Sequence, residues 1–160
     1  MKKCICILFC LVFFCSGCNK KSSAVTFVTS GLSFTANVSF NGNSQSYDVV
    51  FKDESVKVAS RETGMSAEFS NGKTTLEYDG ISHVINTDSL PSALIIDLFY
   101  YLKTGAENNT AVLKNNEYII KYRTSKYNFE VTLAETGLPL SVSETNFGIK
   151  ITVTNTKMNQ

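Results

Sequence analysis

The chain is expected to fold as a mainly β, α+β protein with one or two helices, a curved antiparallel sheet or half-barrel of about ten strands wrapped on a central helix. Three observations predict this. Apolar and polar residues alternate with period two over most of the chain, paired turn residues such as Asn41-Gly42 and Asn71-Gly72 punctuate that alternation, and a single run, Ser92 to Lys103, switches to helical signals. An immunoglobulin-like sandwich is the other arrangement with this many short strands, but it would not spend twelve mid-chain residues on a helix so apolar.

The first strand is read from Phe34, Ala36, Val38 and Phe40, which alternate with Thr35, Asn37 and Ser39, so one face is apolar and the other wet. Asn41-Gly42-Asn43 tolerates the positive φ of a hairpin turn, and Tyr47, Val49 and Phe51 resume the alternation. Asp53-Glu54 leads to Val56-Lys57-Val58, Gly64 breaks the run, and Ala67-Glu68-Phe69 runs into Asn71-Gly72. Leu76 and Tyr78 then turn at Asp79-Gly80 into Ile81 and Ile85, so about six strands precede residue 88. Asp88 and Ser89 offer caps, Pro91 suits a first turn, and Lys103 and Gly105 mark an end, which together place the helix. Only Ser92, Asp97 and Lys103 are plainly polar in it, so it is expected to be enclosed by sheet. Beyond a polar loop at Glu107 to Thr110, strands are read at Tyr118 to Tyr122, Tyr127 to Leu133, Leu140 to Ser143 and Ile149 to Val153.

The N-terminus has a secretory layout: Lys2 and Lys3, an apolar run from Cys4 to Phe14, small residues, then a polar stretch from Asn19. Eleven apolar residues fall short of the roughly 20 that a membrane-crossing helix needs. All five cysteines, at 4, 6, 10, 15 and 18, lie here, which rules out a disulfide framework in the rest of the chain. Ser16-Gly17-Cys18 resembles a bacterial lipobox, whose cysteine is diacylated and becomes the first residue after cleavage, although Cys15 stands where Leu is usual. A plain cleaved signal is the alternative, and it would leave an exposed, oxidisable thiol at Cys18. Residues 1–17 are thus read as a lipoprotein signal peptide, 18–30 as the lipidated cysteine and tether, and 31–157 as one domain. The expected location is extracytoplasmic, lipid-anchored to the bacterial cell membrane. Loss of Lys2 and Lys3 on cleavage leaves thirteen Lys and Arg against fourteen Asp and Glu. So balanced a domain has no bulk field with which to hold a nucleic acid.

The Leu90-Pro91-led helix, the Asn71-Gly72-Lys73 hairpin leading into Leu76 and Tyr78, and the Glu135-Thr136-Gly137-Leu138-Pro139-Leu140 turn between two late strands resemble the LolA-type lipoprotein-carrier superfamily, in particular its membrane-anchored members. The resemblance covers roughly residues 30–156. It implies a half-barrel whose concave apolar face, lidded by helix, accepts acyl chains of lipids or lipoproteins. A chain tethered at Cys18 reaches only a few tens of ångströms from its membrane, which suits holding or short-range handling better than shuttling.

No reaction is written in the residues. Lone His83 cannot build a multi-histidine metal site, Gly64-Met65-Ser66-Ala67-Glu68 supplies only half a serine-nucleophile elbow, and no glycine-rich phosphate loop is present. Asp53-Glu54, Asp88 and Asp97 read as turn, cap and helix residues, not as a paired acid and base. No catalytic residue, metal or cofactor is therefore expected. Tyr100, Tyr101, Tyr118, Tyr122 and Tyr127 form an aromatic concentration that could line a ligand groove or pack the core with hydroxyls at the rim. The expected groove residues are Phe34, Phe51, Tyr78, Leu94, Leu98, Tyr101, Phe129 and Val131. The alternative is a closed-core structural or protein-interaction lipoprotein that meets an envelope partner through a sheet edge or loop.

Overall fold

A computed structural model of the chain describes residues 24–90, 95–106 and 109–158. The expected signal peptide, Cys18, Leu94 and the expected first turn of the helix lie outside the described residues.

Twelve strands form one antiparallel sheet: β1 (Val25–Thr26), β2 (Leu32–Phe40), β3 (Asn43–Phe51), β4 (Ser55–Ser60), β5 (Ser66–Ser70), β6 (Lys73–Tyr78), β7 (Ile81–Asn86), β8 (Thr110–Lys114), β9 (Glu117–Arg123), β10 (Asn128–Leu133), β11 (Pro139–Glu144) and β12 (Ile149–Met158). Their order is β1-β8-β9-β10-β11-β12-β2-β3-β4-β5-β6-β7, so β1 and β7 are the two edges. The single α-helix of the described residues, α1 (Ile95–Ala106), touches both β4 and β9. Five strands separate those two in the sheet, so one helix can reach both only because the sheet curves around it. The arrangement is a half-barrel on a central helix, as the alternation predicted, and not two packed sheets.

The short hairpins follow from backbone chemistry. Asn41-Gly42, Asn71-Gly72, Asp79-Gly80 and Asn115-Asn116 each hold two consecutive residues at positive φ, between 48° and 78°, as a two-residue turn matched to the sheet twist requires. The apolar set faces inward in register: Phe51 pairs with Val56, Val56 with Phe69, and Val49 with Val58, all buried on the helix side.

Three features depart from the sequence reading. There are twelve strands rather than about ten, because β1 lies in the stretch read as tether and β8 directly follows the loop. Residues 24–30 are drawn into the domain. Phe27 is buried against Phe51, and the Val28 amide donates to the Gly137 carbonyl at 3.0 Å. Gly137, at φ 83°, can sit there because a Cβ would stand 2.4 Å from the Thr26 carbonyl oxygen, so the Thr-Gly-Leu-Pro turn clamps the entering chain.

Gly105, expected to terminate the helix, lies inside it. The reason is a side chain: Tyr122 lies over the last turn and donates its hydroxyl to the Leu102 carbonyl at 2.6 Å, and a Cβ on Gly105 would come within 2.4 Å of its ring. Gly105→Ala is therefore expected to destabilise the fold by about 1–3 kcal/mol through overpacking. In an open helix the same change would stabilise it by about 1 kcal/mol. A thermal melt at or above the wild-type midpoint would contradict the contact.

Asp97 and Lys103, two of the few polar residues of the helix, are both buried, at 0% and 5% exposure. Each has a partner in a turn between strands, and those contacts belong to the site.

Candidate functional site

The helix is pinned on both arms of the half-barrel. On the β9–β10 side, the Tyr127 hydroxyl donates to Asp97 Oδ1 in a very short hydrogen bond, and Lys126 Nζ lies 3.1 Å from Asp97 Oδ2. Lys126 also sits 5.2 Å from the centre of the Tyr101 ring, within cation–π range, and reaches the Leu90 carbonyl at 3.4 Å. On the opposite arm, Lys103 Nζ donates to the Asp53 carbonyl at 3.0 Å, in the turn between β3 and β4.

Burial lifts the Asp97 carboxyl above the ordinary aspartate value, outweighing the hydrogen bonds and charge of Tyr127 and Lys126. Partial burial pulls Lys126 down, but the hydrogen bond and charge of Asp97 outweigh it and hold Lys126 above its ordinary value. Burial first, then Asp97, pushes the Tyr127 hydroxyl far up, and burial alone does the same to Tyr122. Both carboxylate oxygens of Asp97 are taken and the residue has no exposed surface, so this cluster holds the helix in place.

The predicted groove residues fall into three groups. Phe34, Phe51, Leu98, Tyr101, Phe129 and Val131 are all buried, none more than 9% exposed. They pack together: Phe34 meets Phe51 at 5.3 Å and Phe99 at 6.4 Å, while Tyr127 meets Tyr101 at 5.6 Å and Phe129 at 5.7 Å. They are core. Tyr78 is 58% exposed on the β6–β7 hairpin, at the outer end of the same concave face. Leu94 lies outside the described residues. Of the tyrosines, Tyr122 and Tyr127 take the packing role, with hydroxyls committed to Leu102 and Asp97.

Open space lies instead at the mouth of the half-barrel. Two hollows of about 230 Å³ and 250 Å³ share Gln45 and Ile95 in their walls. Val38 and Phe40 wall one; Tyr47, Met65 and Ile96 wall the other. The polar groups there, Asn43, Gln45, Ser60 and Thr63, are uncharged, and the Tyr47 hydroxyl donates to Gln45 Oε1 at 2.6 Å. From Met65 the concave face runs outward: Leu76 and Ile85 are half-buried against the core, and Tyr78 and Ile81, on the same face, are 58% and 74% exposed. Sequence reasoning missed Gln45, Met65 and Ile95. Each sits at the end of an element, where alternation shows the face but not whether the neighbouring element covers it.

On the convex face Arg61 donates to both oxygens of Asp48 at 2.7–3.0 Å and to Thr35 Oγ1 at 3.2 Å. The hydrogen bonds from Arg61 hold Asp48 below its ordinary value. His83 is exposed on β7. Among the described residues, no group of three or more His, Cys, Asp or Glu is placed to hold a metal ion, and no helix is long and apolar enough to cross a membrane.

No protein-family model matches the chain, and no curated protein matches it. Among solved structures, it is similar to the complex of Pseudomonas aeruginosa MucA/MucB, with a TM-score of 0.44 and 16% identity. That alignment covers 81% of this chain and 53% of the other, so the chain spans about half the length of that relative.

Proposed function

We propose that the chain is an extracytoplasmic lipoprotein, anchored through diacylated Cys18, that binds an apolar or acylated ligand without catalysis. The observation that carries this reading is the mouth of the half-barrel. Apolar walls at Phe40, Met65 and Ile95 and uncharged polar groups at Asn43 and Gln45 border two adjoining hollows, and beyond them the same face carries half-buried Leu76 and exposed Tyr78 and Ile81. An acyl chain with a polar head matches that division: apolar wall for the chain and amides for the head, with the neighbouring Glu62 carboxylate taken by the Ser46 amide and the Ser60 hydroxyl. The LolA-type resemblance points the same way.

Two measurements test it. Palmitate labelling of the full chain is expected to vanish in Cys18→Ala, and persistent labelling would defeat the anchor. Native mass spectrometry of exported Cys18→Ser protein should show about one lipid per chain, as adjoining hollows of this size admit. Ile95→Asp should lose that lipid. A clean protein mass, with no uptake of added fatty acid or phospholipid, would overturn ligand binding.

A second reading, an envelope protein-interaction module, is favoured by one specific observation: the unequal edges of the sheet. Edge β1 is two residues long, whereas β7 pairs without a bulge over six residues and contains no Pro, Lys, Arg, Asp or Glu. The Thr87 amide donates to the Gly72 carbonyl, so the bonded pairs fall on odd positions, and Ser82, Val84 and Asn86 turn their main-chain groups outward. Such an edge accepts an extended segment of a partner protein. Val84→Pro, which removes one outward donor, should abolish crosslinking to that partner, and unchanged crosslinks would remove this reading.

A further inference from the structure

We infer that the corner formed by the outer face of β8 and β9 is a second membrane contact, lying flat on an anionic lipid surface beside the acylated cysteine. The inference rests on the proposed anchor at Cys18 and adds an orientation to it.

The path of the chain comes first. β1 pairs antiparallel with β8, Val25 opposite Ala111 and Thr26 opposite Thr110, so one step back along the chain brings residue 24 abreast of Val112. The chain enters the sheet from the Val112–Lys114 side. Seven residue steps from Cys18 to Val25 span at most about 25 Å fully extended. The acyl anchor therefore cannot be far from this corner.

The surface at that corner suits an interface. Val112 is 67% exposed and Leu113 42% exposed, on opposite faces of β8, so the corner presents apolar side chains both ways. Val112 pairs with Ile119, and the two border a hollow of about 300 Å³ whose remaining walls are Thr110, Lys114 and Lys121. Lys121 is ion-paired with Glu130, and Glu117 stands opposite Lys114. The two lysines and two glutamates of the corner balance, and in the sequence Lys20 and Lys21 precede Val25 by five and four residues. Apolar tips with lysines around them are the composition of a surface that settles at the headgroup boundary. A lysine that no neighbouring carboxylate neutralises favours an anionic surface about fivefold.

The contact would fix how the domain stands. β8 and β1 would face the bilayer, and β7, the other end of the sheet order, would be the edge furthest along the sheet from the anchor.

The test uses the full lipoprotein reconstituted in vesicles, carrying Val112→Cys labelled with an environment-sensitive fluorophore. Acylated Cys18 has no free thiol, so position 112 takes the label alone, and the mass of the same preparation reports acylation independently. In phosphatidylcholine vesicles containing phosphatidylglycerol, the label is expected to shift to the blue and to be quenched by headgroup-level spin labels. The same label at the comparably exposed Val84 should do neither. Lys114→Gln with Lys121→Gln should weaken the quenching. A label at 112 in water, or quenching equal at 112 and 84, would overturn the inference, as would a blue shift that needs protein concentration rather than lipid. An unacylated Cys18 would defeat the anchor, and Cys18→Ser carrying labelled Val112→Cys, added to the same vesicles, would then report on the corner by itself.

Discussion

Asp97→Ala is expected to destabilise the fold by about 3 kcal/mol, a drop in midpoint of about 6–12 °C for a domain of this size. The loss has two sources. The Tyr127 hydroxyl, on a residue only 2% exposed, loses its acceptor, and a buried polar group left unpaired costs about 1–3 kcal/mol. The remainder is the ion pair with Lys126, discounted because that side chain is 17% exposed and can turn its ammonium to water. The pH dependence gives a sharper signature. The folded pKa of Asp97 lies above its unfolded value, so the folded state holds the proton more tightly between the two. Asp97's contribution therefore grows as pH falls through that window, and fades as pH rises through the folded pKa. Lys126 acts at the other end: its raised folded pKa gives stability fully present below the unfolded lysine value and lost as pH rises through the folded one. Urea unfolding of both proteins across pH should thus show the gap between wild type and Asp97→Ala widening on mild acidification. A gap that narrows there would mean that burial does not dominate at Asp97. Asp97→Leu combined with Tyr127→Phe should lose less than Asp97→Ala, because it removes both halves of the buried hydrogen bond.

The fold was legible where side chains repeat and the site was not, for a physical reason. Alternation at Phe34 to Phe40 and at Phe129 to Leu133, with Asn-Gly and Asp-Gly turns between strands, fixes inward faces and hairpins from local chemistry alone. Strand β1 carries only two paired residues, too few for a period, and β8 is masked by the polar loop before it. Gly105 looked like a helix end because its neighbour in space, Tyr122, is seventeen positions away in the chain. The partners of Asp97 and Lys103 were not legible because Tyr127, Lys126 and the Asp53 carbonyl come from turns that only the curvature of the sheet brings to the helix. The predicted groove residues share that origin. A large apolar side chain on the inward face has the same sequence pattern whether it fills a half-barrel or lines a hollow in it.

That ambiguity is resolved by comparing two residues of the same helix, three positions apart. Leu98 is fully buried in the core, whereas Ile95 is half-buried in the wall of the mouth hollows. Leu98→Ala is expected to cost about 3–5 kcal/mol, the transfer of the lost atoms plus the hole they leave in a packed interior. It should leave ligand uptake intact in the fraction that stays folded, since the mouth is untouched. Ile95→Ala should cost only about 1 kcal/mol, in proportion to its smaller burial, yet lower lipid occupancy in native mass spectra. Crossed results carry the argument further. A small stability loss at Leu98 would mean that the centre of the half-barrel is already loosely filled, and a loss of ligand there would move the binding site beneath the helix. Undiminished lipid occupancy in Ile95→Ala and Ile95→Asp alike would remove the mouth hollows from the site, leaving the uncharged edge of β7 as the feature through which this protein acts.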